Sequence, residues 1–465
     1  LPCDVAALIA SAKPAVFWSD RPDAPEPCSA LRGPIKADLC IIGAGFTGLW
    51  AALQALEENP GRRVVLLEAE NVAFGASSRN GGFCEASLTH GFFNGLTHWA
   101  DEFSTLERMG TENLSAIIDT AQRHGIDADI YRTDQVSFAL ADWQVNDLAE
   151  NAKIYTEHHV PHTLLTTEGA RAVADSPTYL GALVDHDSLA LVDPARLAWG
   201  LRSTVLKLGA SLYEQSRVTS ITDAGNSLLV STNDGRVSAD RVVVATNAWA
   251  EPVRQIRRYV VPVYDHVLMT EPLSDHQMAE IGWSDRQALT DAANQFHYYR
   301  LTADNRILWG GYDANYYYGN GMGPAYERRP FSHELIAEHF FHTFPQLEGL
   351  GFSHRWAGPI GTTSKFTAAF GQGYDKKLAW VAGYAGLGVG ASRFGARVAL
   401  DLVDGLETER TQLEMVRKKP VPFPPEPLRN IVIQATRRAI ARSDRTGRPG
   451  VLLRLLERFG IGFNS

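Results

Sequence analysis

Gly43-Ala44-Gly45-Phe46-Thr47-Gly48 places three glycines at a spacing that suits the pyrophosphate of a dinucleotide. The apolar run Leu39, Cys40, Ile41, Ile42 before it reads as a buried strand, and "LWAALQALEE" after it reads as a helix. In such a turn the first glycine permits the bend, the second lets backbone approach the anion, and the third lets helix and strand pack closely. The helix N-terminus then offers its unpaired N–H groups to the anion. A second apolar run, Val64-Val65-Leu66-Leu67, ends at Glu68, twenty residues after Gly48. A carboxylate there accepts hydrogen bonds from a ribose; the plainer alternative is an ordinary strand-end acid. Cradle and acid together predict a dinucleotide site.

Three further stretches bear on the same site. "FGASSRNGGF" offers small residues for close approach, hydroxyls at Ser77 and Ser78 for a phosphate or ribityl group, and an amide at Asn80, although a plain surface loop shares this composition. "DRVVVATNAW" reads as another buried parallel-type strand, ending at Thr246 and Asn247. "GYAGLGVGAS" reads as a glycine turn with Gly386, Gly388 and Gly390, leading into a helix expected to begin near Ser392. Such a helix aims its positive end at whatever the turn holds, unless the turn serves only for packing.

Taken together, these four stretches resemble the flavoprotein family of D-amino-acid oxidase, sarcosine oxidase and glycine oxidase, most closely its γ-glutamylputrescine-oxidase-like branch, over about residues 36–410. The resemblance implies FAD, expected to be noncovalent because no cysteine stands near Gly390 or Trp309, and an α/β fold: a Rossmann-like, glutathione-reductase-type domain from residues 36–97, 196–252 and 355–410, plus an α+β substrate domain with a large mixed sheet from 98–195 and 253–354. It carries the cofactor onto Gly43, Gly45, Phe46, Thr47, Gly48, Glu68 and Ala69, and onto the loop Ser77, Ser78, Arg79, Asn80, Gly81, Gly82. Val218 stands at the adenine, Thr246 and Asn247 at the pyrophosphate, and Gly386, Leu387, Gly388 and Val389 along the isoalloxazine edge. Two lysines of sarcosine oxidase correspond here to Gly390 and Trp309, which weighs against fast reaction with oxygen. The implied activity is oxidation of a secondary amine or amino acid to an imine by hydride transfer to the flavin N5, with O2 reduced to H2O2. A dehydrogenase passing electrons to a quinone or carrier protein is the alternative within enzymes, and a non-catalytic flavin-binding protein the alternative outside them.

Hydride leaves an amine readily only when the nitrogen is neutral, and apolar walls lower an ammonium pKa. Aromatic faces also attract amine cations. His266, Tyr298, Trp309, Tyr312, Trp356 and Tyr384, with Tyr264, are therefore the substrate-side candidates, against the plainer reading of an aromatic core. Asp313 is a candidate for a distal amine, and Arg300 or Lys365 for a substrate carboxylate.

The 465 residues, 45% hydrophobic and 21% charged, suffice for two or three domains. Four cysteines, Cys3, Cys28, Cys40 and Cys84, form no CxxC pair, so neither a disulfide framework nor a metal site is expected. No apolar run reaches the ~18 residues of a membrane span, and a cytoplasmic setting is expected. The net charge of −9 argues against nucleic-acid binding. It is unevenly spread, because residues 417–465 hold eleven Lys/Arg against three Asp/Glu, leaving −17 on the rest. The N-terminal 1–35 reads as a wrapping arm and 411–465 as a basic amphipathic tail. In that tail Leu428, Ile431, Val432, Ala435 and Ala439 share one helical face. The face suits packing on the acidic body, self-association, or peripheral contact with an anionic membrane.

Overall fold

The computed structural model of the chain describes residues 4–251 and 253–461, which leaves Cys3 outside the described residues. Cys28, Cys40 and Cys84 are free thiols. The strand Gly33–Ile42, buried continuously from Leu39, lies inside an eight-stranded sheet. Gly235–Val244 and Val64–Leu67 flank it in parallel, with Ile42 opposite both Val244 and Leu67. Burial on both faces accounts for their nearly unbroken apolar runs. Because the three strands stop level with one another, Gly43, Glu68 and Ala245–Asn247 converge beyond their carboxyl ends, where open α/β sheets bind ligands. Phe46–Glu58 then leaves as a helix buried along most of its length and packs on the helix Gly388–Val403. That second helix follows the strand Leu378–Ala382 and begins at Gly388, a turn earlier than the sequence suggests.

A ten-stranded mixed sheet makes the second layer. Ala288–Asp291 runs parallel to Tyr131–Ala139, whereas Val261–Thr270 pairs antiparallel with both Ile307–Gly311 and Phe352–Thr362. Phe83–Glu85 and the greater part of Phe352–Thr362, from Arg355 on, fall within segments assigned from sequence to the cofactor side, yet they pair into this sheet. Strand pairing is set by which free edge the chain reaches, and both segments leave the cofactor loops along edges of this second sheet. One face of the sheet buries Leu268, Tyr299 and Trp309 beneath the helix Pro330–Thr343. Tyr298 and Asp265, which alternate with those residues along their strands, belong to the opposite face.

Near the N-terminus a short helix, Val5–Ser11, packs against Pro330–Thr343. Further along, Trp18 donates its indole N–H to the Asn80 carbonyl at 2.9 Å. The tail forms two helices, Leu428–Thr446 and Val451–Arg458. Its apolar face differs from the one read from sequence: Leu428 and Ile431 are exposed, and Arg437 turns inward to Asp313 at 3.1 Å. The half-buried Asp313 carboxylate accounts for the rotation, since it would otherwise lack its cation.

Candidate active site

A cavity of about 1730 Å³ runs from the strand ends of the first sheet to the second sheet and the tail. It exceeds the roughly 300–1,000 Å³ of a typical small-molecule site, leaving room for a dinucleotide and a substrate together.

Backbone builds the dinucleotide end. Gly43 has φ of +101°, and a Cβ there would stand 2.8 Å from the Ala245 carbonyl oxygen, so only glycine makes this bend. Glu68 accepts from the Ala44 N–H at 2.7 Å and the Glu70 N–H at 3.0 Å, which fixes its carboxylate at the strand end. Burial raises its pKa. Ser77 Oγ accepts from the Phe46 N–H at 2.9 Å, setting the hydroxyl at the helix end that faces the cavity. Asn80 ties its loop by donating to the Ala76 carbonyl at 2.9 Å and accepting from the Gly82 N–H at 2.8 Å. Asn247, at φ of +47°, accepts from the Gly383 N–H at 2.8 Å and so clamps the last glycine turn. The helix Gly388–Val403 has no side-chain cap, and Gly386, Leu387, Gly388 and Val389 line the cavity at its N-terminus. Its first N–H groups therefore lack helical partners at the cavity wall.

Gly45, Phe46, Thr47, Ala69, Arg79, Gly81, Val218 and Thr246 also line this end. Gly48, Ser78 and Gly82 stand behind the wall instead of in it. Gly48 packs on the Gly43 carbonyl, Ser78 is 5% exposed within its loop, and Gly82 packs on the Val192 carbonyl. With a carboxylate at the strand end and two uncapped helix N-termini converging on the cavity, these residues fit FAD.

Side chains build the other end. Tyr298, Tyr312, Tyr384 and Tyr264 line the cavity. Tyr298 donates its hydroxyl to Asp265 Oδ2 at 2.5 Å. Gly310 makes room for that ring, since a Cβ there would stand 2.5 Å from the Tyr298 oxygen, and Gly81 abuts it from the cofactor loop. Burial pushes Asp265 up to about 6, against the lowering effect of the tyrosine hydrogen bond. Tyr384 accepts from the Thr47 hydroxyl at 2.9 Å and is thus tied to the cradle. Tyr312 stacks on His297 with ring centroids 5.4 Å apart.

The remaining sequence candidates do not reach the wall. His266 is fully buried, bonded through Nδ1 to the Asp313 carbonyl and set edge-on to His333, and burial lowers its pKa to about 4. Trp309 faces the core, stacked on His297 at 4.4 Å, because it alternates with Gly310 along its strand. Trp356 donates to the Arg79 carbonyl at 2.9 Å and so braces the cofactor loop from behind. Arg300 is buried and donates to the Val192 carbonyl at 2.7 Å, while Lys365 lies over the Trp99 ring at 4.2 Å. Asp313 is saturated by Asn315, Ser332 and Arg437.

Sequence reasoning missed two features. Glu85, Glu107, Asp185 and Asp291 all line the chamber, and burial pushes each up to about 7. Asp185 shares a hydrogen bond with Tyr155. A lone acid within an otherwise apolar strand, as in "PVYDHVLMT", is the signal by which Asp265 could have been found from sequence. The second feature is the tail, whose Val432, Ile433, Thr436, Arg437 and Ile440 close the chamber. Gly390, for its part, packs on the backbone of Glu85, where a Cβ would run into the carbonyl oxygen, and its own carbonyl accepts from Asn113 at 2.9 Å.

The profile of the family described as "FAD dependent oxidoreductase", DAO, matches residues 38–402. The chain belongs to the DAO family. The family's cofactor is FAD, the group that the cradle residues fit. Among curated relatives, the gamma-glutamylputrescine oxidoreductase of Escherichia coli (strain K12) is 32% identical over 389 residues, spanning 82% of this chain and 86% of that one. Glycine oxidase from Geobacillus kaustophilus superposes with a TM-score of 0.68 at 20% identity, covering 80% of this chain and 96% of that one. L-proline dehydrogenase from P. horikoshii gives 0.66 at 20% identity, with 82% and 96% covered. These two likenesses establish the DAO fold. The family match stops short of the tail helices, so the part of the chamber they close lies outside it.

Proposed function

We propose that the chain oxidises a cationic secondary amine to an imine, with oxygen as the terminal acceptor and hydrogen peroxide as product. Two electrons and two protons leave the amine and reduce O2 to H2O2, and water hydrolyses the imine. The observation that carries this reading is the chamber wall, in which Glu85, Glu107, Asp185, Asp265 and Asp291 face the cavity while Arg300 and Lys365, the expected partners of an amino-acid carboxylate, do not. The name of the E. coli relative also points to an amine.

Bound in the cradle, FAD supplies the two-electron acceptor for the hydrogen beside the amine nitrogen. The buried carboxylates attract the ammonium form of the substrate into the chamber. There Tyr298, Tyr312 and Tyr264 surround it with aromatic surface, which weakens its hold on the extra proton. Asp265, raised to about 6 by burial and linked to Tyr298, is placed to take up that proton in its ionised form. Water exclusion falls to the tail, whose Val432, Ile433 and Ile440 close the far side.

The test is an anaerobic titration of the yellow protein with a panel of amines and amino acids, then exposure to air. Bleaching by secondary amines but not by α-amino acids, with recovery in air and one peroxide formed per flavin reoxidised, is the expected outcome. Bleaching with no peroxide in air, and recovery only when a quinone is added, would transfer the terminal step to a quinone or carrier protein. Flavin that no amine bleaches would overturn the enzymatic reading.

A further inference from the structure

The outer side of the two tail helices takes no part in closing the chamber. On Val451–Arg458 and the residue after it, Val451, Leu455 and Phe459 recur every four residues and are 76%, 48% and 67% exposed. Leu452, Leu453 and Leu456 turn toward the protein, so the helix spends its apolar residues on two sides. Arg454 and Arg458 flank the exposed stripe and are themselves exposed. Arg438, Arg442 and Arg445 extend the cationic surface along the outer side of Leu428–Thr446, and Arg448 continues it in the turn. Among the described residues none of these six arginines makes an ion pair. Of the two acids in this stretch, Asp444 is engaged by Asn294 and Gln295, which leaves Glu457 as the exposed one.

We infer that this face docks on an anionic lipid bilayer. A strip of Val, Leu and Phe edged by arginines matches the boundary between acyl chains and anionic headgroups: the apolar side chains enter, and the guanidinium groups stay at phosphate level. The acidic remainder of the chain, repelled by the same surface, favours the orientation that presents the tail. A symmetric pair of chains meeting through this face would set six arginines against six, so self-association fits poorly. Nucleic acid would neutralise the arginines but leave the apolar strip in water.

The experiment is co-sedimentation of the full-length, flavin-loaded chain with phosphatidylcholine vesicles, with and without phosphatidylglycerol, at low and high salt. Binding is expected only with phosphatidylglycerol, and it should weaken as salt rises. Combining Arg442→Glu, Arg445→Glu and Arg454→Glu should reduce partitioning on the order of 100-fold or more, at about fivefold per lost arginine. Leu455→Ser with Phe459→Ser should weaken it separately. All five positions are exposed, and an unchanged flavin spectrum and melting curve would show that the variants are folded. No binding to phosphatidylglycerol vesicles at low salt, or equal binding by the charge-reversed chain, would overturn the inference. So would a dimer in light scattering that the same substitutions convert to monomer, since the occupant would then be a second copy.

Discussion

The two ends of the cavity are made of different material. At the dinucleotide end, contiguous stretches supply backbone: a glycine bend, two helix N-termini and loops tied by Asn80 and Asn247. At the amine end, single side chains arrive from scattered strands of the second sheet and from a tail outside the family match. A backbone site depends on a few glycines and tolerates change around them. A side-chain site can be retuned residue by residue, which lets related proteins share a cofactor while differing in substrate.

Substitutions should separate the ends. The largest effect is expected at Gly43: valine there meets the Ala245 carbonyl and a left-handed backbone together, and the purified protein should lack flavin absorbance altogether. Asp265→Asn should keep the flavin spectrum yet lower the anaerobic reduction rate by about 10²-fold or more, the scale of a lost general base. In the parent chain that rate should climb as pH rises through about 6, when Asp265 ionises, and the variant should lose this limb. Glu85→Gln should raise KM for a cationic amine by about tenfold with kcat little changed. The parent KM should fall as pH rises through about 7, because the carboxylate must be ionised to pair with a cation. Flavin retained but KM unmoved would break the contrast drawn above.

Glu107 provides a smaller test, on stability. Its folded-state pKa of about 7 lies above the ordinary carboxylate range, so folding disfavours its ionised form. That cost is absent below the ordinary range and complete above about 7. Glu107→Gln should therefore raise the melting temperature by about 1–2 °C at pH 8 and leave it unchanged at pH 4. Smallest of all, Ile433→Ala should shift relative KM values among amines of different length by a few fold, with no change in flavin absorbance.

Legibility in the sequence follows the same division. Glycine spacing and a strand-end acid are local patterns, so the cradle, the FAD and the overall fold could be read from short stretches. Tyr298 and Trp309 illustrate the limit, because both are aromatic strand residues and only the pairing register decides that one faces the cavity and the other the core. Asp265 was overlooked beside the more conspicuous His266 for the same reason. The inward turn of Arg437 is hidden in the same way, because no local pattern shows that Asp313, distant in sequence, waits beneath it.

Gly390 carries a consequence for redesign. With the Glu85 carbonyl packed where its side chain would begin, a single codon change to lysine would wedge the helix away from the strand. Any side chain at this position requires the strand to withdraw first, so installing a basic residue there takes a second change that lengthens the spacing between helix and strand.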